Sequence, residues 1–311
     1  MSRDTFSFDS RDERDAAARR DNNGRDSQSP SNPQRVEQRA TSAEPLPSLD
    51  RSDRAGRMPE ALDSPRAQHV GDRTYFLRDS ELQTLAEVGT FRVIAAPDLA
   101  HASYGGSGAR MEREIRRLKQ QSLLSEKSIA VGRNGTYRLL TLTKQGSRLL
   151  RKSGRVPAEQ AIYHGFVKPR EAQHDADLYR LYQAQSERIE AAGGHPTRVV
   201  LDYELKRSLN RDLAVLHEAG RSPQALEKIA ERHALAVVNG KIPVPDLRVE
   251  YDTADMERMH VDLELATRNY RPGALAAKAK AGFSLYARSE DTSRLRRVLD
   301  EREITTQILS L

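Results

Sequence analysis

Carboxylates recur on two neighbouring predicted strands in the C-terminal half of the sequence. Asp246 follows a proline at the start of one apolar run, and Asp262 and Glu264 lie two positions apart in the next. Alternate residues of a strand share a face, so Asp262 and Glu264 point to one side, where Asp246 of the neighbouring strand can join them. Hard oxygen ligands with room for water and phosphate suit a magnesium-type cation, and such an ion activates water for phosphate chemistry. The spacing therefore predicts a metal site that contains Asp246, Asp262 and Glu264.

His260 is predicted on the same face of the second strand. A histidine there can ligate a metal or relay a proton, but an isolated histidine on a strand is more often a polar surface residue, which is the interpretation we favour. The alternative for the carboxylates is that they are ordinary surface acids. The sequence has no phosphate-cradling glycine loop and no nucleophile-elbow motif, which argues against nucleotide-dependent motors and dehydrogenases.

The elements that must position these carboxylates form an α/β pattern. They are an amphipathic helix from about Asp175, a strand over 197–206, two helices separated by Gly220 and Pro223, a tight turn at Asn239-Gly240, strands over 244–251 and 260–267, a helix from Pro272 to Tyr286, a charged helix near 293–301 and a strand over 304–309. This order predicts a mixed α/β domain.

Positive charge is concentrated ahead of this domain. Residues 105–155 contain 13 basic and 3 acidic residues, a net charge of +10, whereas the whole chain has a net charge of +6. A local excess of this kind is typical of a nucleic-acid contact, although it also occurs on solvated helical faces. We therefore predict binding of double-stranded DNA through the basic side chains of this stretch. They are Arg110, Arg113, Arg116, Arg117, Lys119, Arg133 and Arg138.

Local signals place this charge on three helices followed by a hairpin. The helices are predicted to begin near Asp79, Pro97 and Ser107, and the third carries its arginines opposite an apolar stripe. Asn134-Gly135 predicts the turn of a hairpin, and Thr143 caps a further helix. This is the order of a winged helix-turn-helix, in which the third helix enters the major groove and the hairpin contacts phosphates or the minor groove.

The remaining composition excludes several classes of protein. Residues 1–72 are polar, without apolar periodicity, and are predicted to be a disordered tail. The absence of cysteine excludes disulfides, cysteine-ligated zinc and iron–sulfur clusters. No apolar run approaches the about 20 residues of a membrane span, and the N-terminus has no secretory signal. We expect a soluble, cytoplasmic protein without a membrane contact.

The winged helix, followed by Pro245-Asp246 and Asp262-Leu263-Glu264 on adjacent strands, resembles the replication-relaxation family of bacterial plasmids and integrative elements. The second domain is similar to PD-(D/E)xK nucleases, and the resemblance covers roughly residues 76–290. It implies a restriction-endonuclease-like α/β domain in a bacterial cytoplasm, with Mg²⁺ or Mn²⁺ if the site is catalytic and no cofactor otherwise. It also implies Glu204 as a further metal ligand on the first core strand, Ala266-Thr267 after the acids, and a helix bearing Lys278 and Tyr286.

The sequence departs from active nucleases of this fold at one position. Such enzymes usually carry a lysine two residues after the acid of the third strand, where this chain has Glu264, or Ala266 if Glu264 is the acid. A glutamate at this place occurs in some active members of the fold, and Lys278 or Lys280 on the following helix can supply the missing ammonium. The expected catalytic set is then Asp246, Asp262, Glu264 and Lys278; without a substitute lysine, the domain is a degenerate binding platform.

The predicted organisation has four segments: a tail over 1–72, a winged helix-turn-helix over 73–155, a linker over 156–174 and a nuclease-like domain over 175–311. Three functions remain open at this point. They are a mobile-element protein that holds or cuts DNA with a divalent metal, a non-catalytic DNA-binding regulator or replication or mobilisation accessory, and a protein-interaction scaffold. The target sequence, a homodimer and a protein partner for the tail are also left open.

Overall fold

The computed structural model describes residues 64–131, 135–219, 222–267 and 270–311. The predicted tail up to residue 63, Arg133 and Asn134 lie outside the described residues. The strands are β1 (Arg66–Val70), β2 (Arg73–Leu77), β3 (Ile94–Ala95), β4 (Leu124–Val131), β5 (Gly135–Leu142), β6 (His195–Leu201), β7 (Leu247–Asp252), β8 (Arg258–Ala266), β9 (Ser284–Ala287) and β10 (Ile308–Ser310). The helices are α1 (Asp79–Thr90), α2 (Ala96–Tyr104), α3 (Gly108–Gln120), α4 (Lys144–Ser153), α5 (Pro169–Ala191), α6 (Asp202–Ala219), α7 (Pro223–Arg232), α8 (Pro272–Lys280) and α9 (Ser289–Asp300).

The N-terminal part has the predicted order of three helices followed by a hairpin. Strand β5 pairs antiparallel with β4 along the hairpin and with the short β3 on its other side, giving the sheet order β3-β5-β4. Met111, Ile115 and Leu118 are buried beneath α3, as their spacing predicts. The Thr143 hydroxyl oxygen accepts a hydrogen bond from the Gly146 amide at 3.0 Å, so the predicted cap of α4 is confirmed.

The C-terminal part is built on a five-stranded mixed sheet in the order β10-β9-β8-β7-β6. Strands β6, β7 and β8 form an antiparallel meander, whereas β9 is parallel to β8 and β10 is parallel to β9. A parallel neighbour requires a crossover, and α8 supplies it between β8 and β9. The result is a mixed α/β sheet in which β7 and β8 run side by side, which places Asp246 beside the end of β8.

Helix α5 joins the two parts through a continuous core. Phe91 packs edge-on against Tyr179 at 5.2 Å between ring centroids and lies 5.5 Å from the ring of Tyr182. One cluster of buried apolar residues includes side chains of α1, α3, α5 and β6–β8. Gln160 and Ile162, in the predicted linker, are also buried, and α5 begins at Pro169, inside that segment. Residues 156–174 therefore pack on the protein body, and the described residues belong to one compact unit.

The predicted tail, the first core strand and the helix from Pro272 differ in extent from the structure. Residues 66–70 of the predicted tail form β1, which pairs with β2 across a two-residue turn that begins at Gly71, with φ +58°. The predicted strand over 197–206 ends at Leu201, and Glu204 lies in the first turn of α6, where an acid is favoured by the helix dipole. The predicted helix from Pro272 ends at Lys280, because Gly282, with φ +85°, turns the chain so that Tyr286 falls on β9.

No helix among the described residues is long and apolar enough to cross a membrane.

Candidate functional site

Asp246, Glu264 and Lys278, which were predicted from the sequence, meet where β7 begins and β8 ends. The amide of Asp246, just before β7, donates to a carboxylate oxygen of Glu264 on β8 at 3.2 Å. The other half of the contact is made by the Leu265 amide, which donates to the Asp246 carboxylate at 3.0 Å. Lys278 of α8 donates from Nζ to Glu264 Oε2 at 3.0 Å and also to the Val244 carbonyl oxygen. The carboxylates of Asp246 and Glu264 and the ammonium of Lys278 thus form one group of neighbouring charged side chains.

The two carboxylates are electrostatically unequal. Burial raises the pKa of Glu264 to about 7, and the negative charge of Asp246 acts in the same direction, against the ammonium of Lys278. Burial also opposes ionisation of Asp246, but the charges of His174 and Lys278 outweigh it and lower the pKa of Asp246 to about 2. Asp246 therefore holds the negative charge at neutral pH, and Glu264 is the member of the pair that takes up a proton first.

Two residues of this site were missed by sequence reasoning. His174 of α5 places Nε2 at 3.6 Å from Asp246 Oδ1, and Tyr270 donates its hydroxyl to the Glu264 carboxylate. Burial lowers the pKa of His174, but the charge of Asp246 dominates and raises it to about 9. No spacing motif connects position 174 with position 246, because only the packing of α5 across the sheet brings them together.

Asp262 does not join this pair. Register places Arg248 of β7 directly opposite Asp262 of β8, and the guanidinium contacts both carboxylate oxygens, at 2.6 and 2.9 Å. Arg248 also donates to the carbonyl oxygens of His233 and Ala234, so it is held from two sides. Both side chains of the ion pair are at least nine-tenths buried. Asp262 was expected in a shared metal site. It forms a structural ion pair with Arg248 instead.

Glu204 and His260 also lie apart from the pair. Glu204 accepts a hydrogen bond from the hydroxyl of Tyr163 at 2.9 Å and contacts Arg198 at 3.3 Å, which leaves its carboxylate committed to the α6–β6 corner. His260 is exposed, in line with the favoured interpretation of a polar surface residue. No three acids or histidines of the described chain are grouped as a metal cluster. The predicted four-carboxylate set therefore reduces to Asp246 and Glu264.

The chemistry of this donor set fits a hard divalent cation. Mg²⁺ is commonly held by one or two carboxylates and keeps several of its waters, so Asp246 and Glu264 are of the ligand type that it uses. Asp246 is the stronger candidate because its pKa is lowered and it stays ionised. Lys278 places its ammonium 3.0 Å from Glu264 Oε2 in the same group.

The basic helix α3 presents a distinct outward face. Ala109, Arg113, Arg116 and Gln120 are all exposed and recur at i, i+4, i+7 and i+11, so they form one stripe. Arginine and glutamine are the side chains that pair with guanine and adenine edges in the major groove. An open groove of about 590 Å³ adjoins this face, between α3 and the β4–β5 hairpin, and Arg116 lines it.

Most other predicted DNA-contacting cations are already paired with acids. Arg110 lies 3.7 Å from Glu114, Arg117 lies 2.7 Å from Glu81 and Lys119 lies 2.7 Å from Glu126. On the hairpin, Arg138 forms ion pairs with Glu112 and Glu126. These contacts tie α3 to α1 and to the hairpin, so the side chains serve first to hold the module together.

Comparison with known proteins adds a similarity to a solved structure. No protein-family model matches the sequence, and no curated protein matches it. Among solved structures, the chain is similar to "Crystal structure of Bacillus subtilis PadR in complex with operator DNA", at 17% sequence identity and a TM-score of 0.20. The similarity covers 50% of this chain and 91% of that chain. A TM-score of this size carries no argument, so the interpretation of both sites depends on their own geometry.

Proposed function

We propose that this protein docks on duplex DNA through α3 and the β4–β5 hairpin, and that Asp246, Glu264 and Lys278 form a nuclease-like site that holds or cuts DNA with a divalent metal. The proposal rests on one observation: Asp246, Glu264 and Lys278 meet where β7 begins and β8 ends. We further propose that the protein belongs to the replication-relaxation family and acts within a bacterial plasmid or integrative element.

The order of elements around the site supports a nuclease-like domain. Helix α5, strands β6 to β8, helix α8 and strand β9 follow one another in the order that the resemblance to PD-(D/E)xK nucleases implies. In that pattern Glu264 is the third-strand acid, Ala266 occupies the usual place of the lysine, and Lys278 brings an ammonium to the same carboxylate from α8. This contact supports the expectation that Lys278 supplies the ammonium that Ala266 lacks.

Each residue has a separate role in the proposed chemistry. Asp246 and Glu264 would hold the metal, which when bound polarises a phosphate and lowers the pKa of a coordinated water. Lys278 orients the Glu264 carboxylate and adds positive charge beside the phosphate. The Leu265 amide fixes one oxygen of Asp246, and His174 faces the other, which restricts rotation of that carboxylate.

Supercoiled plasmid tests the catalytic part directly. The wild type is incubated with plasmid in Mg²⁺, in Mn²⁺ and in chelator, beside Asp246→Asn and Lys278→Met. We expect metal-dependent nicking or linearisation by the wild type alone, with duplex binding retained in Asp246→Asn. Asp262→Asn on β8, the strand adjacent to β7, is the matched control, since it breaks a structural ion pair and should lower the melting temperature without abolishing cleavage of the folded fraction.

A second candidate function is a DNA-binding protein without catalysis. It is favoured by the complete burial of Glu264, whose oxygens already accept hydrogen bonds from Tyr270, Lys278 and the Asp246 amide. A carboxylate satisfied in this way does not need a cation. Absence of cleavage by the wild type in every metal, together with salt-dependent duplex binding, would establish this alternative. Absence of duplex binding as well would point to an interaction scaffold.

A further inference from the structure

Helix α4 carries a second cationic surface that the predicted DNA contacts do not include. Lys144, Arg148 and Arg151 are exposed and recur at i, i+4 and i+7, and Lys152 is exposed beside them. The buried side chains of α4 (Gly146, Ser147, Leu149 and Leu150) occupy the opposite side. The helix contains no acidic residue. Its outward face is therefore a continuous strip of positive charge.

The charge of this strip is not neutralised by the residues that the structure describes. In the portion of the chain that is described, none of the four cations of α4 forms an ion pair or a side-chain hydrogen bond. On α3, by contrast, Arg110, Arg117 and Lys119 each contact an acid. Four of the 13 basic residues of the segment 105–155 therefore lie on the outward side of α4.

The strip is held rigidly beside the DNA-binding module. Thr143, at the start of α4, donates its hydroxyl to the Ser122 carbonyl oxygen at 2.6 Å, just after the end of α3. Gly146 packs so closely on the main chain that an added Cβ would lie 2.0 Å from the Leu123 carbonyl oxygen. Beyond the other end of α4, Arg155 contacts Asp79 at 3.2 Å, at the start of α1. Both ends of α4 are thus anchored to the helices of the module.

We propose that the outward face of α4 binds the phosphate backbone of duplex DNA alongside α3. The inference rests on the proposed DNA-binding function and extends its footprint to a helix outside the hairpin and the third helix. Charge complementarity identifies the occupant, since unpaired cations without interspersed acids bind phosphate oxygens and release condensed counterions. Such contacts position the protein on the duplex without reading sequence.

Salt titration of binding to a short mixed-sequence DNA duplex tests the surface. The full-length variant Arg148→Gln, Arg151→Gln is compared with the wild type by fluorescence anisotropy between about 50 and 200 mM salt. We expect the slope of log K against log salt to become less steep by about 0.9 for each lost phosphate contact. The matched control is Arg294→Gln, Arg297→Gln, which removes the same charge from exposed positions of α9, where acids are interspersed, and should leave the slope unchanged.

The outcomes separate this inference from the broader proposal. A reduced slope in the α4 variant alone, at an unchanged melting temperature, supports the α4 surface. An unchanged slope in the α4 variant, while Arg116→Ala weakens binding, overturns the inference and leaves DNA docking by α3 standing. Equal slope changes in the α4 and α9 variants mean that only net charge matters, which also overturns it. Failure of the wild type to bind any duplex overturns both.

Discussion

Two adjacent arginines of α3 have opposite surroundings. Arg116 is exposed and, within the described part of the chain, forms no ion pair, whereas Arg117 contacts Glu81, whose side chain is only 2% exposed. We expect Arg116→Ala to weaken DNA binding by about 1–3 kcal/mol if the side chain reads a base, or to reduce the salt slope by about one unit if it contacts phosphate. Its melting temperature should equal that of the wild type.

Arg117→Ala should act on stability instead. Removal of the guanidinium leaves the buried Glu81 carboxylate without its cation, which costs roughly 1–3 kcal/mol. Thermal unfolding followed by circular dichroism measures this loss, and duplex binding of the folded protein should change less than in Arg116→Ala. The assignment of the two roles would be reversed if Arg117→Ala lost DNA affinity at full stability.

Asp175 provides a pH dependence with a defined sign. Burial raises the pKa of Asp175 from 3.8 to about 6, against the lowering effect of Arg92, whose Nη1 lies 3.2 Å away. The folded state therefore binds a proton more tightly than the unfolded chain, so this contribution to stability is complete below about pH 4 and is lost as pH rises through 6. Asp175→Asn removes the titration, and its stability relative to the wild type should increase from pH 4 to pH 7 by at most about 3 kcal/mol.

Paired melts of Asp175→Asn and the wild type at each pH isolate this effect, since all other titrations cancel in the difference. A difference that stays constant between pH 4 and pH 7 would show that the Arg92 contact keeps Asp175 ionised at all these values.

At the scale of elements, the packing of α4 depends on one glycine. A Cβ at Gly146 would lie 2.0 Å from the Leu123 carbonyl oxygen, and main chain cannot move aside as a flexible side chain can. We expect Gly146→Ala to destabilise the protein by roughly 1–3 kcal/mol, because α4 must shift away from the end of α3. Denaturant unfolding measures the change.

Gly108→Ala is the matched control for this substitution. Gly108 also lies in a helix, but nothing comes within 4 Å of an added Cβ, and its φ is not positive. Alanine there should be neutral or stabilising by about 0.5–1 kcal/mol, as expected from helix propensity. Equal losses in both variants would show that close packing at Gly146 is not the cause.

Helices, turns and caps that depend on neighbouring residues could be predicted from the sequence. Contacts and strands that depend on how two distant strands pair could not. The third helix, the hairpin and the Thr143 cap follow from nearby residues, and their order was confirmed. The partner of Asp262 depends on which residue of β7 lies opposite it, and only the strand register selects Arg248. Likewise, the two-residue strand β3 exists only because it pairs with β5. The metal-site prediction therefore named Asp246 and Glu264 correctly as neighbours but also included two acids that other cations hold.

At the scale of the whole molecule, α5 connects the proposed DNA-binding module with the sheet beside which Asp246 lies. Tyr179 donates its hydroxyl to Glu87 of α1 at 2.9 Å. Asp177 accepts from Arg288, which follows β9, at 3.2 Å, while Arg180 contacts Asp98 of α2 at 2.9 Å. Polar contacts of one helix thus reach both parts, and the apolar core is continuous through it. DNA held by α3 would consequently stand at a fixed position relative to the candidate metal site.

This shared core predicts that the described part of the chain unfolds in one transition. A fragment of residues 64–155 would expose the face of Phe91 that packs on Tyr179 and would leave Arg92 without Glu171 and Asp175. Loss of a large aromatic contact costs several kcal/mol, a substantial part of the stability of a small domain. We therefore expect residues 64–311 to melt cooperatively, with near- and far-ultraviolet circular dichroism giving the same midpoint, and the 64–155 fragment to lack fixed tertiary structure. A fragment that melts cooperatively and binds duplex with the affinity of the full chain would instead establish an independent domain, and the metal site would then be free to move relative to the bound DNA.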